Sequence, residues 1–344
     1  MRPIEPTKIT AQVLLLLALI AGAPRPVAAS GAEQPSDGSL ASAAESFGSL
    51  IESEFVAEPV PASRSSLPVV GLHNASASEV GEPLYEQDLQ ESDFGFLLLP
   101  QGLIYRSYLG GPKEPRMATG IVSIPDDSTF WDATIGGRLG MFRIGNSDPI
   151  RPRGFQFDVE AAAMVRLDIP EDVDVCGADY RVGLPLTWGN EFSQWKFSYY
   201  HMSSHLGDEY WEDNPGAPLF RQARDALVLG HSLYLTDSLR IYGEVGWAFY
   251  SVASEPWEVQ FGLDYAPRVA TGLYGAPFFT INGHLREEFD FSGGLNVQVG
   301  WAWRADTTAQ LLRLGFQYYN GPSTQYAFLP FHETQYGLVL WYDF

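Results

Sequence analysis

The sequence predicts an all-β, transmembrane antiparallel barrel of about twelve strands, preceded by an export signal and a flexible N-terminal extension. Three observations predict it. From about residue 100 onward, apolar and polar side chains alternate over long runs, which is the period of an extended strand. These runs exceed the roughly 5–6 residues usual in a soluble sandwich and suit the roughly 9–11 residues of a tilted membrane strand. The chain also closes on "TQYGLVLWYDF", with Tyr336, Leu338, Leu340, Tyr342 and the final Phe344 on one face.

The N-terminus, "MRPIEPTKITAQVLLLLALIAGAPRPVAAS", has the parts of a secretory signal over residues 1–29. Arg2 and Lys8 form the charged region, Ala11 to Ala23 the apolar run, and "PVAAS" a small-residue cleavage site after Ala29 or Ser30. The apolar run is short of the roughly 20 residues a membrane anchor needs. No cysteine follows the site, so a lipoprotein is not expected, and Cys176, the sole cysteine, allows no internal disulfide. Residues 30–95 are rich in Ser, Ala, Pro and Glu, with little to bury, and read as a low-complexity, mostly disordered periplasmic segment. Within it, Phe47, Leu50, Ile51 and Phe55 share a helical face, read as a transient helix. The net charge of −21 excludes nucleic acid, which selects a basic surface.

The barrel is expected over 96–344. In "GFQFDVEAAAMVRLD", Phe155, Phe157, Val159, Ala161, Ala163, Val165 and Leu167 take one face, opposite Gln156, Asp158, Glu160, Arg166 and Asp168. "LRIYGEVGWAF", "WEVQFGLDY" and "LNVQVGWAWR" repeat the pattern, with Trp and Tyr near the strand ends as lipid–water girdles require. The polar faces carry both signs of charge, which a dry soluble core would not accept unpaired. Lipid outside and a polar lumen inside satisfy both faces, and closure is obligatory because an open edge leaves bare peptide groups in hydrocarbon. Strands are expected near 131–143, 153–169, 178–188, 194–205, 224–236, 239–251, 256–266, 273–285, 291–304, 309–320 and 333–344, with one or two more in 101–122. Pro185 and Pro277 should mark bulges or irregular ends, since Pro cannot donate to a ladder. With the C-terminus periplasmic, the long connections 206–223 and 321–332 both fall outside, as such barrels prefer.

The last strand resembles the terminal strand of Gram-negative outer-membrane barrels, whose final aromatic helps the insertion machinery recognise its clients. "LLPQGLIYRSYLGGPKEPR", with "RVGLPLTW" and "YYHMSSHLGDE", resembles an uncharacterised bacterial family, the domain of unknown function numbered 1207, over most of 95–344. The first resemblance implies outer-membrane lipids and the insertion machinery as partners; the second supplies no activity.

Candidate chemistry centres on "SYYHMSSHLGDEYW". Trp195, Phe197, Tyr199, His201, Ser203 and His205 share the lipid-facing side, so His201 and Ser203 sit about 6.6 Å apart, within reach of a rotated imidazole. The arrangement resembles the His-x-Ser pair of outer-membrane phospholipase A and the lipid A deacylases, which implies acyl-ester hydrolysis by His201 and Ser203. Ser204 and His205 depart from the Asn and Gly that follow the pair there. The third member has no clear counterpart; Asp225 is the first candidate, with Asp208 and Glu209 as alternatives. Read blandly, His and Ser at a girdle simply meet lipid headgroups. His201 and His205 lie about 13 Å apart along a strand, too far to share one zinc ion. In the lumen, Arg138, Arg166, Arg181, Lys196, Arg240 and Arg304 face Asp132, Asp158, Glu160, Glu244, Glu258 and Asp264. Paired, they form a structural plug; separated by sign, they line a pore. Asn282, His284 and Arg286 could touch a solute at the outer mouth, together with Arg181, Lys196, Glu244 and Glu258. No phosphate-cradling loop, paired-cysteine motif or nucleotide motif occurs, so no cofactor is expected. Three functions stay open: a structural or interaction barrel, a lipid acyl hydrolase, and a narrow channel for small polar solutes.

Overall fold

The computed structural model describes residues 94–215 and 222–344. The expected signal and flexible extension lie outside the described residues. Thirteen strands form one antiparallel sheet: β1 (Gly95–Leu98), β2 (Met117–Ser123), β3 (Thr129–Gly145), β4 (Gly154–Asp168), β5 (Asp174–Gly189), β6 (Ser193–Leu206), β7 (Gln222–Tyr234), β8 (Leu239–Val252), β9 (Trp257–Tyr265), β10 (Ala276–Arg286), β11 (Ser292–Arg304), β12 (Leu311–Pro322) and β13 (His332–Asp343). A short helix, α1 (Asp208–Asp213), follows β6. Each of β2 to β12 pairs with its successor, and β13 pairs back onto β2, Leu338 opposite Ile121. The result is a closed barrel of twelve strands, β2–β13. β1 is an addition to it. It pairs with the last four residues of β3, on the edge that β2 occupies farther along.

Side-chain alternation decides which face is which. In β4, Gln156, Asp158, Glu160 and Arg166 are buried while Phe155 is exposed. In β13 Gln335, Val339 and Trp341 point inward and Tyr336, Leu338 and Leu340 outward. A closed wall with charged residues buried inside and leucines exposed outside is inverted relative to a water-soluble protein, and only a hydrocarbon surround makes it stable. Trp131, Trp247 and Trp257 ring one end of the wall and Trp188 and Trp195, stacked at 6.4 Å, the other. Leu338 lies near the middle of β13. Leu338→Arg should cost about 2–4 kcal/mol, the penalty of a cation at the bilayer midplane, read by urea unfolding from lipid vesicles.

Both prolines sit where their missing N–H does no harm. The β4–β5 pairing lapses, with no change of register, between Phe157–Leu186 and Glu160–Gly183, which spans Pro185. Pro277 pairs with Trp301 on one side only, because the ladder with β9 starts at Phe279. Of the one or two strands expected in 101–122, one forms, β2. Residues 101–116 do not extend the wall. Their Gly110-Gly111-Pro112 turn and Pro115 break any ladder, and Leu103, Ile104, Tyr105, Tyr108 and Leu109 are buried inside the barrel.

This segment is a finger that enters and leaves the lumen at the rim carrying the C-terminus. Arg143 holds its base, donating Nη2 hydrogens to the carbonyls of Gln101 and Gly102, both at 2.8 Å. Arg116 returns it to that rim, pairing with Asp343 at 3.1 Å. At the tip Lys113 pairs with Asp179, which also accepts the Tyr326 N–H at 3.0 Å. Tyr326 belongs to the connection between β12 and β13, expected to be an external loop. It stands at the mouth opposite the C-terminus, the end expected to be external, and folds inward there, burying Tyr326, Ala327 and Leu329. Finger and loop thus meet inside the barrel. Along β3, residues 135–140 have a strand partner on the β4 side only, and Met141 falls at a register shift. Phe344 packs there over Gly137, where a Cβ would stand 2.9 Å from its ring.

Candidate functional site

The outward His201 of β6 and Asp225 of β7 are direct cross-strand partners. Such neighbours have Cβ atoms about 4.5–5.5 Å apart, so their side chains can meet without strain. His201 Nδ1 lies 3.0 Å from Asp225 Oδ1, and Tyr199, two residues earlier on the same face, donates its hydroxyl to the same oxygen at 2.6 Å. An irregularity in the β7–β8 register falls at Asp225–Ala226, the kind of bulge that aims a side chain. With Nδ1–H given to the carboxylate, the imidazole carries its free lone pair on Nε2. The His201 side chain is 41% exposed on the lipid-facing wall, near the rim opposite the C-terminus.

Ser203 is on the same face, one pair farther toward that rim, flanked by Tyr180 and Ala223. Among the described residues its hydroxyl makes no hydrogen bond to His201. The structure therefore brings together His201, Asp225 and Tyr199 and leaves Ser203 beside them. Glu209 accepts the Val175 N–H at 3.0 Å at the start of β5, away from His201. His205 stands edge-on to the Tyr180 ring, centroids 5.7 Å apart. Sequence reasoning missed Tyr199, although its place two residues before His201 was the available signal.

The inward candidates form a connected ionic network around the finger. Arg138 pairs with Asp158 at 2.5 Å, Arg166 with Asp132 at 2.8 Å and Glu333 at 3.1 Å, Arg181 with Glu160 at 3.0 Å, and Arg240 with Asp264. Lys196 pairs with Glu244 at 2.6 Å, and Tyr108 of the finger donates to the same carboxylate at 2.7 Å. The Lys196 ammonium also lies over the rings of Tyr105 and Tyr108, 5.2 and 4.9 Å from their centroids. Glu258 holds Arg224 at 3.6 Å and His284 at 3.1 Å, and accepts the Tyr200 hydroxyl. Asn282 donates to the Tyr242 hydroxyl at 2.9 Å, and the Tyr242 ring stacks on Tyr108, centroids 3.8 Å apart. Opposite charges are paired rather than segregated. Arg304 departs from this, reaching only the carbonyls of Ala309 and Ala266. The signal for the finger was present in "IYRSYLGGPKEPR", whose apolar residues follow no period of two.

A family model matches residues 98–344, the whole of the barrel and its finger. The chain belongs to the family described as protein of unknown function (DUF1207). The DUF1207 match begins at Leu98, at the end of β1, so the finger is part of the family's domain. No curated protein matches the chain. Among solved structures it is similar to outer membrane phospholipase A from Escherichia coli, with 11% identity and a TM-score of 0.44 over 68% of this chain and 91% of that one. It is also similar to the KdgM porin, with 10% identity and a TM-score of 0.38 over 66% of this chain and 98% of that one. Likeness this distant says nothing about what the wall or the lumen of this DUF1207 barrel does.

Proposed function

We propose that this chain is a closed, non-conducting barrel that serves the envelope as a structural or interaction element. The observation that carries this reading is the finger of residues 101–116, held in the lumen by Asp179, Asp343, Glu244 and Arg143. On this reading Arg181, Lys196, Glu244, Glu258, Asn282 and His284 hold the interior together and do not meet a solute. The barrel sits in the outer membrane of a Gram-negative-type bacterium, exported through the cleaved signal of residues 1–29 and placed by the insertion machinery. Outer-membrane lipid is its solvent, and the C-terminal rim faces the periplasm. In planar bilayers the unmodified protein should stay electrically silent at every applied voltage. Steady stepwise openings would overturn the reading.

A second reading, hydrolysis of acyl esters at the outer leaflet, is favoured by the contact of His201 with Asp225. The Ser203 hydroxyl would attack the ester carbonyl as His201 Nε2 takes its proton. The same proton would then pass to the departing lipid alcohol, and water would release the fatty acid from the acyl-serine. Ser203→Ala should lower fatty-acid release from phospholipid vesicles by about 10³-fold or more, since a nucleophile is being removed. Equal release by the variant and the unmodified protein ends this second reading and leaves the first untouched.

A further inference from the structure

The mouth at the C-terminal rim gathers guanidinium groups of a kind that most of the lumen pairs with carboxylates. Arg106 of the finger and Arg268 of the connection between β9 and β10 both donate an Nη2 hydrogen to one acceptor, the Ile150 carbonyl oxygen, Arg268 from 3.5 Å. Two like charges thus converge on a single neutral atom. Arg304, inward at the end of β11, reaches the Ala309 and Ala266 carbonyls at 3.4 and 3.3 Å, and its buried Nε has no acceptor. Among the described residues none of these three forms an ion pair. All three line one cavity of about 50 Å³. Arg106 and Arg268 also border the adjoining cleft, with Arg151.

Of the carboxylates around the mouth, the three aspartates that line the first cavity are already engaged, while Glu191 borders the adjoining cleft and Phe344, with the terminal carboxylate, the cavity itself. Asp264 is held by Arg240, Asp343 by Arg313 at 2.7 Å and Arg116 at 3.1 Å, and Asp237 by Arg151 at 2.5 Å. Burial, and then the guanidinium groups of Arg106 and Arg151, push Arg268 below its ordinary value. In a chain of net charge −21 this is a local concentration of positive charge, with three guanidinium groups outside any ion pair. All three are half-buried, and a partly desolvated cation without an ion-pair partner carries a cost that is relieved when a counter-ion enters.

We propose that this mouth is a binding site for a phosphate-class oxyanion. Guanidinium forks present paired N–H donors that match the oxygens of a phosphate, and several of them together balance a dianion. A cavity of about 50 Å³ admits a few water-sized groups, hence one phosphate or the phosphate end of a larger molecule. The site opens at the rim, where a free phosphate or phosphomonoester from solution and a phospholipid headgroup both have access with the same chemistry.

Thermal unfolding of the full barrel tests this in two arms. In uncharged detergent, inorganic phosphate is titrated against chloride at matched ionic strength. In nanodiscs, phosphatidylcholine is compared with phosphatidylcholine containing phosphatidylglycerol. Phosphate should raise Tm by several degrees, saturably, where chloride does not, and the double variant Arg268→Gln, Arg304→Gln should lose that rise. The same variant should unfold at a higher temperature than the parent in chloride, because a repulsion has been removed. A variant that merely misfolds cannot give that result. An arginine-dependent response to phosphatidylglycerol without one to free phosphate assigns the headgroup as the source, and the reverse assigns the soluble anion. The proposal is overturned if neither arm shows a response that depends on these arginines, or if chloride serves equally well.

Discussion

Deletion of residues 103–114, with Gly102 joined to Pro115 through a short glycine linker, should turn a silent barrel into one that conducts ions in planar bilayers, with current steps at least about tenfold above the baseline noise. The finger contributes no rung to the ladder that closes the barrel, so the wall of β2–β13 survives its loss. Its removal vacates the space held by Tyr105, Tyr108, Leu109 and Lys113. It also frees Glu244 from Tyr108, Asp179 from Lys113, and Arg240 from the carbonyls of Arg106 and Ser107. Those groups then line water, and the charges that remain set a field across the passage. Lys113→Ala, which loosens only the tip, should give brief openings rather than a steady current. Folding of both variants is checked by their resistance to denaturation in cold detergent. A folded but silent deletion would mean that the wall and the inward loop around Tyr326 close the barrel unaided.

The largest single-residue loss of stability should come from Arg166→Gln. The guanidinium is almost wholly buried and serves two acids, Asp132 through Nη2 at 2.8 Å and Glu333 through Nη1 at 3.1 Å, while its face rests 5.0 Å from the Phe130 centroid. Removing it leaves two carboxylates without a counter-charge in a confined lumen. Truncating one partner of a buried pair costs about 3–5 kcal/mol, because the orphaned charge has lost its solvation twice over. Urea unfolding from vesicles, followed by tryptophan fluorescence, reads that loss. Val165→Ala, the next residue but facing lipid, should change stability by about 1 kcal/mol or less, since the methyl groups leave hydrocarbon for hydrocarbon. Equal effects at the two positions would mean that the lumen is wet enough to solvate Asp132 and Glu333 without help.

The wall was legible in the sequence for the reason these two predictions differ. A strand with oil on one side and a polar lumen on the other must alternate strictly, so β4, β8, β9, β11 and β13 appear where alternation placed them. The finger was not legible as such. Its hydrogen bonds go to side chains and carbonyls scattered over many strands, from Arg143 to Asn296, and no local period records partners so far apart in sequence. The inward folding of Tyr326 was hidden for the same cause. The wall cluster lies between these cases. Sharing of one face by Tyr199, His201 and Ser203 follows from spacing alone. The facing of His201 and Asp225 depends on register across the loop, and a shift of one residue would have turned Asp225 to the lumen.

The finger's two ends share a rim, since β1 pairs with the last residues of β3 and Met117 pairs with Tyr342. It therefore enters the barrel like a thumb in a thimble, not like a thread through a needle's eye. Nothing has to be passed through and pulled tight, so the cylinder can be sewn shut first and the thumb pushed in afterwards. By the same path it can be drawn out, with only the four residues of β1 peeled from the wall.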